Sequence, residues 1–156
     1  MTPITRLTNT TYDELIVGMS ASIRKRLTMD DIRLFAIMSG DVNPVSLDAK
    51  YAQSSRFHDI VAHGMWGGAL ISTVLGTELP GAGTVYTHQT LDFVKPVRIG
   101  DELLVTVTVR EKKPNAYVVF DCDVVNQIGE QVLTGWAEVI APTDKIESEI
   151  VELPDI

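Results

Sequence analysis

The stretch 64–78 constrains this chain more than any other. Met65, Trp66, Ala69, Leu70, Ile71, Val74 and Leu75 are distributed around every side of a 3.6-residue turn, interleaved with Gly67, Gly68 and Gly76. A helix with no polar face is normally buried, so one long central helix is expected inside whatever the rest of the chain builds. The glycines lower helix propensity but let another backbone, or a ligand, approach closely.

The second half of the chain can supply the cover. Four β-rich runs, 84–97, 102–111, 116–126 and 131–141, are separated by Ile99-Gly100-Asp101, Lys113-Pro114-Asn115 and Asn126-Gln127-Ile128-Gly129. Leu103, Val105, Val107 and Val109 alternate with Leu104, Thr106 and Thr108, the period-2 pattern of a half-buried strand. Short turns between successive runs predict an antiparallel meander. Upstream, residues 21–27 read as a first strand. Thr28 can cap a helix, with Asp31 completing a capping-box variant and Asp30 favouring the dipole. Ile32, Phe35, Ala36 and Met38 give that helix an apolar face, Gly40 is a plausible stop, Pro44 fixes a loop, and 48–54 form a short helix. The expected class is α+β: a sheet around a central helix, in a single domain 1–156 with its core at about 21–141. After Pro142 the acidic tail is expected to be a solvated or packing extension.

Several functions are disfavoured at this level. A formal net charge of −8 and a pI near 4.7 disfavour nucleic acid, which needs clustered Lys and Arg. No apolar stretch reaches the ~20 residues of a membrane span. Residues 1–11 lack an apolar signal core, and the single Cys122 can form no internal disulfide; both point to the cytoplasm. His58 and His63 lack the i, i+4 spacing of a helical zinc pair, His88 stands alone, and no serine elbow, phosphate loop or dinucleotide fingerprint occurs. Neither a metal nor a cofactor is expected.

Two segments could carry chemistry. In Ser39-Gly40-Asp41-Val42-Asn43-Pro44-Val45-Ser46, a carboxylate and a hydroxyl share a stiffened loop just beyond a helix. Taken alone, the segment reads more simply as a capped loop, because these residues are also turn formers. His63-Gly64 opens the central helix, where free N–H groups and the dipole suit an oxyanion or carbonyl oxygen. A histidine capping a core helix is an equal reading. Ser72 reads as a packed core serine.

Together, Ser39-Gly40-Asp41-x-Asn43-Pro44-x-x-x-Asp48, Ala62-His63-Gly64-Met65, Leu79-Pro80-Gly81 and Phe93-x-x-Pro96-Val97-x-x-Gly100-Asp101 resemble the MaoC-like dehydratases, nearest to the (R)-specific enoyl-CoA hydratases. The resemblance runs in register from about Ala21 to Ala141. It implies the hot-dog fold, a homodimer or higher homo-oligomer, and an acyl-CoA thioester substrate. It also implies (R)-specific hydration of trans-2-enoyl-CoA to 3-hydroxyacyl-CoA, or the reverse. Asp41 and Ser46 then take the catalytic positions, with Asn43, His63, Gly64 and Ser72 at the substrate and the Gly64 amide on the thioester carbonyl. Ser46 stands where the family has its histidine. A hydroxyl has no charge change near neutrality, and losing a positioned acid–base group costs ~10²–10⁴-fold in rate. Hydration is therefore expected to be slow or rescued by another group, His58 and His63 being nearest in sequence. A catalytically silent acyl-CoA-binding module is the main alternative and a thioesterase the weaker one. Lys95, Arg98, Arg110, Lys112 and Lys113 are candidate partners for coenzyme A phosphates, and Trp66, Tyr86 and the loop near Phe57 for the limits of the acyl pocket.

Overall fold

A computed structural model describes residues 6–155, so the reading of the first five residues as no signal segment lies outside the described part. In chain order the elements are β1 (Arg6–Thr8), β2 (Ser20–Arg26), α1 (Met29–Ser39), α2 (Pro44–Leu47), α3 (Ala49–Ser54), α4 (Gly64–Thr73), β3 (Val85–Gln89), β4 (Asp92–Phe93), β5 (Glu102–Lys112), β6 (Tyr117–Val125), β7 (Gln131–Ile140) and β8 (Glu147–Glu149). The main sheet runs β2-β5-β6-β7-β3, antiparallel throughout, with β4 also on β7. It curls around α4 in the hot-dog arrangement.

The alternating pattern accounts for the packing. Leu103, Val105, Val107 and Val109 of β5 and Phe120, Cys122 and Val124 of β6 face α4, which answers with Trp66, Leu70 and Ile71, followed by Val74 and Leu75 in the turn that continues it. Each fully buried aliphatic side chain here contributes roughly 1.5–3 kcal/mol relative to exposure. At Gly67 a β-carbon would stand 2.9 Å from Leu133 Cδ2, so helix and sheet touch where that side chain is missing. Thr28 and Asp31 form the expected capping box, and Gly40 closes α1 in the left-handed conformation, φ 77°.

The differences from expectation have local causes. The run 84–97 is two strands, broken at Thr90 and Leu91, because the chain crosses over Gly135 there. A β-carbon on Gly135 would lie 1.9 Å from the Thr90 carbonyl oxygen, and Thr90 N–H instead bonds to Trp136 O at 2.8 Å. Pro44 does not fix an irregular loop. It opens the one-turn helix α2, whose cap is Asn43 Oδ1 accepting from Val45 N–H at 3.2 Å. Met38 does not join the apolar face of α1 but is 71% exposed. After Thr73 the central helix widens into a turn of i→i+5 bonding over Val74–Glu78, where Leu79 N–H reaches Val74 O at 2.9 Å. The tail beyond Pro142 returns to pair β8 with β1. The largest correction concerns α4 itself. It is not covered all round: Gly64, Met65, Ala69, Ser72, Thr73 and Gly76 are exposed.

Candidate active site

A cavity of about 460 Å³ opens at the N-terminal end of α4, and Asp41, Asn43, Ser46, His63 and Gly64 all line it. Gly40 ends α1 and turns the chain so that Asp41 leaves the helix axis; Asp41 N–H then bonds to Ser39 Oγ at 3.1 Å. The carboxylate is pinned on one side only, where Asn43 N–H donates to Oδ1 at 3.1 Å. The side chain remains about half exposed. Ser46, on α2, is almost fully buried and borders the cavity; among the described residues its hydroxyl has no hydrogen-bond partner.

His63 sits between these groups. Its Nε2 lies 2.9 Å from the Asp41 carbonyl oxygen and 4.0 Å from Oδ1. Its ring stacks on Phe35, centroids 4.8 Å apart at 28°, and its Nδ1 is buried without a partner. The backbone before α4 is tied down by Ala62 N–H to Val97 O at 2.8 Å and by the pairing of Val61 with Arg98. No side chain caps α4; Trp66 N–H bonds back to His63 O at 3.0 Å, leaving the N–H groups of Gly64 and Met65 without a bonded acceptor among the described residues. Free amides at the positive end of a helix favour a developing negative charge. A β-carbon at Gly64 would meet Phe93 Cε1 at 3.4 Å, so the Phe93 ring forms the wall above this amide.

Five of the six expected site residues therefore meet. Ser72 does not. It lies on the outward side of α4 in a second cleft of about 370 Å³, with Phe35, Met65, Tyr86 and Leu91. Phe35 of that cleft stacks on His63 of the first. His58 is exposed and outside the cavity; His88 stacks on Trp136 at 4.6 Å on the outer side of the sheet. The expected cation cluster is split. Lys95 lines the cavity while pairing with Glu130, and Arg98 donates to Phe57 O at 3.1 Å. Arg110 pairs instead with Asp121 at 2.7 Å, Lys113 with Glu138 at 2.7 Å, and Lys112 lies over the Tyr12 ring, all towards the far end of β5. Arg56, unremarked in the sequence, also lines the cavity. Phe93 was visible only as part of a motif; its role as a wall depends on β4 lying beside Gly64. Burial pushes the Cys122 thiol up to about 11, so it is no nucleophile near neutrality.

Comparison with known proteins identifies the family. The MaoC like domain family matches residues 17–127. An (R)-specific enoyl-CoA hydratase of Rhodospirillum rubrum is 41% identical over 131 residues, 84% of this chain and 91% of that protein. A 3-hydroxybutyryl-CoA dehydratase of Methylorubrum extorquens is 40% identical over 134 residues, 84% and 83% of the two chains. Among solved structures, an unliganded R-hydratase of Pseudomonas aeruginosa superposes with a TM-score of 0.94 at 47% identity, covering 97% of this chain and 98% of that one. The chain belongs to the MaoC-like domain family.

Proposed function

We propose that this MaoC-like protein adds water across the double bond of a trans-2-enoyl-CoA to give the (R)-3-hydroxyacyl-CoA, or runs the reverse dehydration. The observation that carries the reading is the meeting of a half-exposed carboxylate, Asp41, with the unbonded amide of Gly64 in one cavity. The thioester oxygen sits on Gly64 N–H, where the helix end stabilises the enolate-like charge that develops during addition. A water held between the Asp41 carboxylate and the Ser46 hydroxyl attacks C3. Asp41 takes its proton and returns a proton to C2, so a single carboxylate closes the balance. The (R) sense and the CoA ester follow the names of the relatives. Asn43 contributes by holding Asp41 Oδ1 rather than by touching substrate. Arg56 and Lys95 are placed to meet the nucleotide phosphates.

Ser46 supports a second reading, a silent acyl-CoA-binding module with the same pocket. One assay separates the two: loss of the conjugated-thioester absorbance of a short trans-2-enoyl-CoA, for wild type, Asp41→Ala and Ser46→His. Hydration by the wild type that Asp41→Ala abolishes, and that Ser46→His raises by ~10²–10⁴-fold, is the expected result. An Asp41→Ala protein as fast as wild type would falsify the hydratase reading. A silent wild type with an active Ser46→His variant leaves the binding module.

The protein is further read as one domain over 1–156, working as a homodimer in the cytoplasm. Support for the dimer comes from β3, which among the described residues pairs on one side only, to β7, next to the exposed Met65, Ala69 and Ser72 of α4 and its own Val85 and Tyr86. An unpaired strand edge beside an apolar helix face invites a second copy. Among the described residues no helix is long and apolar enough to cross a membrane.

A further inference from the structure

We propose that His63 is a positioning residue: its imidazole fixes Asp41 relative to the Gly64 amide by bonding to the main chain of Asp41. The proposal rests on the hydratase reading above and goes beyond it, since the family resemblance implied only a place for His63 at the substrate.

The chemistry of the contact is determined by the acceptor. A peptide carbonyl can only accept, so at 2.9 Å from Asp41 O the Nε2 atom must carry the proton. In the neutral ring Nδ1 is then bare, and that atom is buried with no partner. Nε2–H is thus already committed, and Nδ1 is closed off. With Nε2 engaged by a carbonyl and Nδ1 buried, the ring is not set to hold a water in place of the histidine missing at Ser46. A phenyl ring would fill the same space and stack on Phe35 without leaving a buried polar atom unbonded. The distinguishing feature of the imidazole is therefore the Nε2–H bond to residue 41, across a sequence separation of 22.

The placement makes that bond consequential. Asp41 stands on the exposed loop between α1 and α2, held by local bonds to Ser39 and from Asn43. His63 is the residue immediately before Gly64, and its own carbonyl accepts from Trp66 N–H. One buried side chain thus links the loop that carries the carboxylate to the helix end that carries the amide. The Nε2 atom also lies 4.0 Å from Oδ1, so the same ring borders both the carbonyl and the carboxylate of Asp41.

The test uses His63→Phe, which retains the stacking ring, and His63→Gln, which restores a side-chain N–H donor. Each is made in wild type and in Ser46→His, and kinetics are read in whichever background turns over. His63→Phe is expected to lower kcat by about 10²-fold, the usual effect of a misplaced reacting group, with KM changed by less than about twofold. The dissociation constant for saturated butanoyl-CoA should stay unchanged, and His63→Gln should recover most of the kcat. Unchanged kcat in His63→Phe, a loss shared equally by butanoyl-CoA binding, or a Gln variant no better than Phe would overturn the proposal. Carbon-13 spectra of the Asp41 carbonyl provide a readout without turnover: its resonance should move in His63→Phe and return in His63→Gln. If neither background hydrates enoyl-CoA, the hydratase reading fails while this resonance still decides on the bond, and a carbonyl that does not move rejects it.

Discussion

The two faces of α4 have nearly the same chemistry and opposite surroundings. Inward, Trp66, Leu70, Ile71, Val74 and Leu75 are packed against β5, β6 and β7; outward, Met65 and Ala69 are exposed beside Ser72. The difference teaches that an all-round apolar helix needs more than one cover. The sheet of the same chain supplies the first, and the β3 edge, unpaired among the described residues, is where the proposed second copy would supply the other. The cavity that holds Asp41 and Ser46 lies on the boundary, since Gly64 at the start of α4 borders it while Ser72 faces the other cleft.

Substitutions on the two faces should separate sharply. Ile71→Ala removes a fully buried side chain and is expected to cost about 2–5 kcal/mol, read by urea titration. Its neighbour Ser72→Ala should stay within about 0.5 kcal/mol. A cost at Ser72 equal to that at Ile71 would break the distinction.

The glycines sharpen it at the level of a single methyl. Gly67→Ala puts a β-carbon 2.9 Å from Leu133 Cδ2 in the packed interface and should destabilise by about 1–3 kcal/mol. Gly68→Ala meets the ends of side chains that have room to move, the half-buried Leu91 at 3.2 Å and the exposed Met65 at 3.3 Å, whereas Leu133 is buried, and the gain in helix propensity offsets that milder crowding. Thermal melts of the two variants should therefore differ, with Gly67→Ala lower.

The dryness of the inner side also has a pH signature. Cys122 lies in the core beneath α4, and burial lifts its thiol from the ordinary range to about 11. Between about pH 9 and pH 11 the unfolded thiol loses its proton while the folded one keeps it. The unfolded state then binds fewer protons, so stability falls as pH rises through this window, by roughly 3 kcal/mol in all. Cys122→Ala should show a flatter decline over the same range; an identical slope would mean that the thiol is not shielded.

The smallest expected change in fold stability is on the outward face. Ala69→Glu alters an exposed position and should leave the dilute chain folded within about 0.5 kcal/mol. Light scattering should nonetheless show the proposed dimer giving way to monomer, because a carboxylate cannot be buried unpaired against a second copy. A variant that stays dimeric would place the interface elsewhere.

Much of the layout was legible because it is written in local periodicity. The Thr28–Asp31 cap, the end of α1 at Gly40 and the β5–β6–β7 meander all arise from residues a few positions apart. The break at Thr90 was not, since it answers to Gly135 on a different strand. Ser46 was readable as a departure from the motif but not as a buried cavity residue, because nothing local distinguishes a one-turn helix from a turn beginning at Pro44.

By itself, the sequence determined that a central apolar helix would be wrapped by an antiparallel sheet; Asp41 and Gly64 stood out as thioester-handling groups only through the resemblance of their motifs to the MaoC-like family. Period suffices for the layout, because apolar spacing alone separates a buried helix from half-buried strands. Only the tertiary structure decided that Asp41, Ser46 and Gly64 share one cavity, that Ser72 faces another, and that His63 serves the main chain of Asp41. Those outcomes depend on how a loop and a helix end approach across folded space, and on which side of α4 the sheet takes; a helix apolar on all sides does not encode that choice.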